Sequence, residues 1–221
     1  DYNNVTFSGA AAGNGTWTVQ TDDMSIAGTI DVDTGDTLTI GAGRTATWTG
    51  GGFTLDGTVS GDGRLTVDTA TAIPTTGTLS SVLRVHTSGR AGMIVPARAY
   101  GDDVELYNSS PIAARSIIFA AGTYTISGGL YLYADDSNNI TANISDNEPA
   151  VTVSGDVDFL GIGGGSELID PGSATLTVGG NIDLTGGDFV SAGGATLKMN
   201  GTSKTITSGS DIIGNYEVSA G

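Results

Sequence analysis

One short pattern recurs along this chain and constrains its fold more than any other feature. An alternating apolar–polar run leads into a glycine, and a second alternating run follows that glycine. Copies lie at 24–32, 53–59, 124–132, 151–159 and 176–184, with half a copy at 197–201. The aligned glycines are Gly28, Gly57, Gly128, Gly155, Gly180 and Gly201, with successive spacings of 29, 71, 27, 25 and 21 residues. Because 71 is close to three ordinary spacings, we predict two degenerate copies in that gap, at 79–85 and 103–108.

Each copy reads as two short strands hinged at the glycine. Side chains alternate between the two faces of a strand, so the apolar members line one face and the Thr, Ser and Asp members the other. A hinge glycine permits a positive φ or a bulge, and thus a corner. Strands this short bury no face alone, but stacked units do. The pattern predicts an all-β fold, a parallel β-helix (β-solenoid) of short rungs. An antiparallel β-sandwich with hairpin loops at 33–36 and 60–64 stays open as the alternative.

The copies are not evenly spread, which suggests a division of one β-solenoid domain over 1–221. Residues 1–72 read as N-terminal rungs and residues 122–221 as C-terminal rungs. Residues 73–121 hold the X-Pro bonds Ile73-Pro74 and Val95-Pro96, the single histidine and four of the six arginines. We expect an irregular insertion or a junction there.

Composition excludes several classes of partner and chemistry. The net charge is −16, from 24 acidic against 8 basic residues, so neither nucleic acid nor an anionic membrane is an expected partner. There is no cysteine, hence no disulfide, thiolate metal site or cysteine nucleophile. Without an apolar run of about 18 residues, membrane insertion is not expected either.

The C-terminal half carries a family likeness. The rung "GGNIDLTGG", the strand pair "ATLKMNGTSKTI" and the closing "NYEVSAG" lie within 173–221. This stretch resembles the glycine-rich β-solenoid repeats of large secreted and cell-surface proteins of bacteria and archaea, including adhesin-like proteins of the filamentous-haemagglutinin type. The resemblance implies an extracellular or cell-surface location and a structural or adhesive role. It carries no catalytic residues to transfer.

The inventory of catalytic side chains is short, and we expect no enzyme. A Ser-His-Asp arrangement has only His86 to draw on, which reads as a surface or strand-end histidine, and a zinc site needs more ligands than one. Paired carboxylates are the serious enzymatic option, because two acids flank the bond in glycoside hydrolysis. The candidate pairs are Asp31 with Asp33, Asp135 with Asp136, and Asp156 with Asp158.

Binding of calcium is a second possibility. Asp31, Asp33 and Asp36 stand on one short turn that resembles the first half of an EF-hand loop. The glutamate at loop position 12 is missing, because residue 42 is Ala. The turn is therefore a candidate Ca²⁺ site, with a solvated turn as the alternative.

Two further sets of candidate sites concern glycans. Tyr131 and Tyr133 alternate with Leu130 and Leu132, so they are expected to face outward, where they would contact a glycan or a partner. Six N-x-S/T sequons mark possible glycosylation sites: Asn4, Asn14, Asn108, Asn139, Asn143 and Asn200.

Three functional hypotheses follow. The sequence shows no amphipathic helix at either end to cap the stack, so the end rungs are expected to pair with the same polypeptide or the next subunit. The first hypothesis is therefore an extracellular structural protein, part of a self-assembling filament, sheath or layer, whose partner is itself. The second is an adhesin or phage-spike-like module that binds glycans through Tyr131, Tyr133 and loop residues near 98–110. The third is a carbohydrate-active enzyme.

Overall fold

The fold is an all-β, parallel solenoid of about eight turns. The computed structural model describes residues 2–7, 15–88, 90–111, 113–135, 138–161, 167–190, 194–208, 212–213 and 215–219. Every strand pair among them is parallel. The prediction of a β-solenoid is confirmed, and the antiparallel sandwich is excluded for this part of the chain.

The strands are short, and most contain three to five residues. In chain order they are β1 (Val5–Phe7), β2 (Thr16–Val19), β3 (Met24–Ile26), β4 (Ile30–Val32), β5 (Thr37–Ile40), β6 (Thr45–Trp48), β7 (Phe53–Leu55), β8 (Thr58–Val67), β9 (Thr78–His86), β10 (Met93–Val95), β11 (Ala99–Tyr100), β12 (Val104–Asn108), β13 (Arg115–Phe119), β14 (Thr123–Ile126), β15 (Leu130–Ala134), β16 (Ile140–Asn143), β17 (Ala150–Val153), β18 (Val157–Phe159), β19 (Glu167–Asp170), β20 (Thr175–Val178), β21 (Ile182–Leu184), β22 (Gly187–Val190), β23 (Thr196–Asn200), β24 (Ile206–Ser208), β25 (Ile212–Ile213) and β26 (Asn215–Ser219).

The strands form faces that run along the stack. The main sheet has eleven strands and runs from β2 to β24, with β3 and β6 joining it beside β8. A three-stranded sheet, β1-β4-β7, covers another side of the first coils. Two six-stranded sheets, β10 to β25 and β11 to β26, cover the later coils. Register partners in successive coils are between 18 residues apart (Arg64 and Val82) and 27 apart (Leu130 and Val157), close to the repeat spacing.

The segment 73–121 belongs to the stack. It contains β9 to β13, and each of these strands pairs in parallel with strands of other coils. The predicted copies at 79–85 and 103–108 are β9 and β12, neighbours in the main sheet. The cross-section of the coil changes within this segment. The long strands β8 and β9 pair with a register shift between Ser60 and Arg64. The two six-stranded sheets begin just after them, at β10 and β11. The segment is thus a junction between two coil shapes rather than an insertion out of the stack.

Arg98 forms hydrogen bonds between two connecting segments of this junction. Its Nη1 donates to the Pro74 carbonyl oxygen at 2.7 Å and its Nη2 to the Gly77 carbonyl oxygen at 3.0 Å. The guanidinium therefore ties the connection after β8 to the corner before β11. Burial lowers the pKa of Arg98 from its usual value, because these carbonyls supply no compensating negative charge.

The core is a column of inward-facing side chains. Aliphatic residues such as Ile26, Leu65 and Leu132 are completely buried. Most side chains of this column are apolar, and the indole Nε1 of Trp48 donates to the Gly28 carbonyl oxygen at 3.0 Å. Glu167 is a charged exception, buried with its Oε1 accepting from the Ala134 amide at 3.0 Å, and burial raises the pKa of its carboxyl.

The recurring glycine is explained by stacking. At Gly155 an added Cβ would lie 2.8 Å from the carbonyl carbon and oxygen of Gly128, one coil earlier. At Gly180 it would meet the Gly155 carbonyl in the same way. None of the aligned glycines has a positive φ, so the expectation of a left-handed hinge is wrong. The requirement is the close approach of one corner backbone to the next.

A short ladder of side chains closes the same corner. Asp103 Oδ1 accepts from the Gly129 amide at 2.6 Å, and Asp156 Oδ1 accepts from the Asn181 amide, also at 2.6 Å. Asn181 Oδ1 then accepts from the Thr205 amide at 3.2 Å. The Asp or Asn that follows the glycine therefore bonds to the coil above, which accounts for motifs such as "GDVD" and "GNID".

Candidate functional site

The outward face of the main sheet brings together three tyrosines, two arginines, a glutamate and the single histidine of the chain. The register places Arg84, Glu105, Tyr131, Asp158 and Asp183 in one column along five successive strands. A second column contains His86, Tyr107 and Tyr133. We call the part of this surface formed by Arg64, Arg84, His86, Glu105, Tyr107, Tyr131 and Tyr133 the aromatic–arginine patch.

A triad of charges lies at its centre. Glu105 accepts from Arg64 Nη2 at 2.8 Å through Oε1 and from Arg84 Nε at 2.6 Å through Oε2. The side chains lie on three successive strands, β8, β9 and β12, so the triad spans three coils. Glu105 is buried beneath its partners although it lies on the outward face. This local neutralisation sets the patch apart on a protein whose net charge is −16.

Tyr131 and Tyr133 face outward as predicted, while Leu130 and Leu132 are completely buried. The Arg84 guanidinium carbon lies 5.3 Å from the centre of the Tyr133 ring and 4.9 Å from that of Tyr107, within cation–π range. Burial and the nearby Glu105 raise the pKa of Tyr133 to about 12.

The Tyr131 ring packs against the backbone of Gly129, at the corner before β15. Its ring lies where a side chain on Gly129 would be, since a Cβ added there would be 2.6 Å from ring atoms. Burial and the acids Asp103, Asp156 and Asp158 raise the pKa of Tyr131, because a phenolate is disfavoured among carboxylates. The ring therefore presents an outer surface above an acidic corner.

His86 lies at the edge of the patch in a defined set of contacts. Its ring stacks on Tyr107 with centroids 4.7 Å apart and planes tilted by 22°. Its Nε2 is 2.6 Å from Ser109 Oγ, and its Nδ1 is 3.7 Å from Asp68 Oδ2. His86 is the last residue of β9, which agrees with the interpretation of a strand-end histidine, and it also has these defined partners.

The three carboxylates of the predicted calcium turn do not share one environment. Asp36 is buried and its Oδ1 accepts from the Gly15 amide at 2.7 Å. Asp33 is exposed, and Asp31 lies on β4, where burial and the charges of Asp33 and Asp56 raise the pKa of its carboxyl. No group of three or more His, Asp or Glu side chains is arranged to hold a metal ion in the described part of the chain. Calcium binding at this turn stays a prediction.

The carboxylates of the candidate acid pairs make different contacts. Asp156 is held by the corner bond to the Asn181 amide. Asp158 lies in register with Asp183 of the next coil, and burial together with Asp183 and Asp156 raises its pKa. Asp135 accepts from the Tyr107 hydroxyl at 2.6 Å, and Asp136 lies outside the described residues. Among the described carboxylates, those of Asp135 and Asp156 thus bond within the fold, and a glycosidase role for these pairs stays a prediction.

The sequons have very different surroundings. Asn108 is completely buried: its Nδ2 donates to the Asn139 carbonyl oxygen at 3.0 Å. A glycan on Asn108 is incompatible with this fold, so that prediction is wrong. The remaining five stay predictions. Asn4, Asn139 and Asn200 are exposed, Asn143 is half-buried, and Asn14 lies outside the described residues.

Comparisons with known proteins add no name to this arrangement. No family model, no curated protein and no solved structure matches the chain. The described residues include no helix long and apolar enough to cross a membrane.

Proposed function

We propose that the chain is an extracellular structural protein, a subunit or segment of a surface filament, sheath or layer. The observation that supports it best is the main sheet, which continues in parallel from β2 to β24 above a core of apolar side chains. About eight turns at about 4.8 Å each give a stiff rod roughly 40 Å long. The resemblance to secreted glycine-rich β-solenoid repeats supports the same role and location.

Self-assembly is the partner interaction that this architecture favours. A β-solenoid offers the same ladder of amide and carbonyl groups at each level, and a strand of another copy adds to such a ladder by ordinary backbone hydrogen bonds. A contact that does not close on itself produces a fibre. The acidic surface keeps lateral contacts dependent on ionic strength or on a divalent cation, since like charges repel.

Electron microscopy of the chain at neutral pH, first with Ca²⁺ and then with a chelator, tests the proposal. We expect filaments or sheets. If they disappear with the chelator, calcium is required for assembly and the acidic turns become its candidate sites; if they persist, assembly is independent of the cation. Discrete particles under both conditions would overturn the self-assembly proposal.

A second candidate function is glycan binding, favoured by the outward tyrosines of the patch. Tyr131 and Tyr133 present ring surface next to acceptors and donors, a combination that suits the apolar and hydroxylated faces of a sugar. A glycan array probed with the wild-type chain and with Tyr131→Ala separates the two. Binding that the variant loses supports an adhesin-like module, whereas no binding by the wild type removes this candidate.

A further inference from the structure

Three polar side chains meet at one edge of the main sheet, beyond the proposed structural role. Asp68 directly follows β8, His86 ends β9, and Ser109 directly follows β12. The register aligns Val67 with Val85 and Tyr107 with His86, so the carboxyl ends of these parallel strands lie side by side. The stack thereby brings His86 next to Asp68, 18 positions earlier in the sequence, and next to Ser109, 23 positions later.

The order of contacts is that of a serine nucleophile, a base and an orienting carboxylate. Ser109 Oγ is 2.6 Å from His86 Nε2, and the opposite ring nitrogen, Nδ1, is 3.7 Å from Asp68 Oδ2. The stacked Tyr107 ring, 4.7 Å away, holds the imidazole plane. Nucleophilic sites of this type are recognised by geometry and roles, and not by chain order or fold. A single histidine suffices, so the short inventory of the sequence does not exclude it.

The surroundings of His86 favour its neutral form, chiefly through burial. Burial lowers the pKa of the imidazole, Asp68 opposes this, and Arg84 adds to it. The other charged or titratable groups nearby are Arg90, whose Nε is 3.7 Å from Asp68 Oδ1, and Tyr107, whose hydroxyl donates to Asp135. A neutral ring with its proton on Nδ1, toward Asp68, leaves the Nε2 lone pair to accept the Ser109 proton.

Asp68 is itself held in place. The Ser88 hydroxyl lies 2.7 Å from each of its carboxylate oxygens. Asp68 contacts His86 and not the serine, so it is a positioning residue. Ser109 and the His86 side chain are both partly exposed, which leaves the Oγ–Nε2 contact accessible to a reagent from solvent.

We propose that Ser109, with His86 as general base and Asp68 as the positioning residue, forms a nucleophilic site that takes acyl groups from carboxylic esters. Ser109 Oγ forms a bond to the ester carbonyl carbon while its proton passes to His86 Nε2. The carbon–alkoxide bond then breaks, and the leaving alcohol takes that proton. Water, activated by the same histidine, hydrolyses the acyl-serine and returns the free hydroxyl.

Turnover at this site is expected to be slow. The Ser110 amide, adjacent to the nucleophile, donates to Asn108 Oδ1 at 3.0 Å. It therefore does not serve as a hydrogen-bond donor to the oxyanion that forms during acylation. A single oxyanion donor accounts for about 10²- to 10³-fold in rate in efficient enzymes. We therefore expect a stoichiometric burst of acylation followed by slow release, rather than rapid hydrolysis.

The test is covalent labelling of the full-length chain with a fluorophosphonate probe, followed by peptide mapping. Attack by Ser109 Oγ forms an O–P bond and expels fluoride, while His86 takes the proton. We expect one equivalent of label on Ser109, none in Ser109→Ala, and a labelling rate lowered about 100-fold in His86→Gln. Ser80→Ala, a half-buried serine on the same outward face, is the matched control and should label like the wild type.

Two readouts separate reactivity from a merely structural network. The labelling rate of the wild type should rise with pH as His86 loses its proton, and Asp68→Asn should shift that rise to lower pH, because Asp68 stabilises the protonated ring. The wild-type chain should also give a burst of p-nitrophenol from p-nitrophenyl acetate that Ser109→Ala lacks. Wild-type labelling of Ser109 no faster than that of other serines, or undiminished in His86→Gln, would overturn the proposal without affecting the structural role.

Discussion

Gly155→Ala should destabilise the fold by about 2–3 kcal/mol, although alanine is the smallest possible change. The added Cβ would lie 2.8 Å from the carbonyl group of Gly128, and backbone of the neighbouring coil has no rotamer by which to move away. Overpacking of this kind costs about 1–3 kcal/mol. Urea denaturation followed by circular dichroism measures the change.

Gly52→Ala is the matched control for this prediction. Gly52 is exposed and has no positive φ, and the nearest atom to an added Cβ is the Thr29 methyl group at 3.7 Å. The control should leave stability within about 0.5 kcal/mol of the wild type. Equal effects of the two substitutions would contradict the view that close stacking of coils selects the recurring glycine.

Asn108→Ala is expected to cost about 2–3 kcal/mol. The Asn108 side chain is completely buried and serves both as acceptor and as donor. Its Oδ1 accepts from Thr87 Oγ1 and from the Ser110 amide, each at 3.0 Å, and its Nδ2 donates to the Asn139 carbonyl oxygen. Alanine leaves the buried Ser110 amide without an acceptor, and an unpaired buried group of this kind costs about 1–3 kcal/mol. The Thr87 hydroxyl and the Asn139 carbonyl oxygen each lose one bond but keep another, to the Tyr107 carbonyl oxygen and from the Arg115 amide.

Asn200→Ala provides the comparison, because Asn200 is another sequon asparagine but is exposed at the end of β23. Its removal should change the free energy of unfolding by no more than about 0.5 kcal/mol. A loss below about 1 kcal/mol for Asn108→Ala would show that the bonds of Asn108 are not needed for the stability of this corner.

The strands and their orientation were predictable because alternation acts locally. Leu130 and Leu132 are buried and Tyr131 and Tyr133 face outward, as the period of two requires. The same period, applied to Val104, Leu106 and Asn108, places Asn108 inward with the two apolar residues. That signal was present in the sequence, and it explains why this sequon is buried.

The contacts between coils were not predictable from the local pattern. Glu105 and Tyr107 lie beside Tyr131 and Tyr133 only because β12 pairs with β15 at a spacing of 26 residues, and that register depends on loop lengths. Aligning "DVELYN" on "GGLYLYA" would have suggested it. The burial of Asp36 toward Gly15, and the meeting of Asp68, His86 and Ser109, likewise depend on which residues the stack places one above the other.

The parallel, in-register stack can be tested most directly by engineered disulfides, since the chain has no cysteine of its own. Thr152 and Thr177 are outward-facing register partners on β17 and β20, and neighbouring strands lie about 4.8 Å apart, within the range for a disulfide. Thr152→Cys with Thr177→Cys should oxidise fully, with a loss of two hydrogens by intact mass. The diagonal pair Thr152→Cys with Thr175→Cys, roughly 8 Å apart by strand geometry, should remain reduced. Crosslinking of the diagonal pair in preference to the register pair would contradict the solenoid described here.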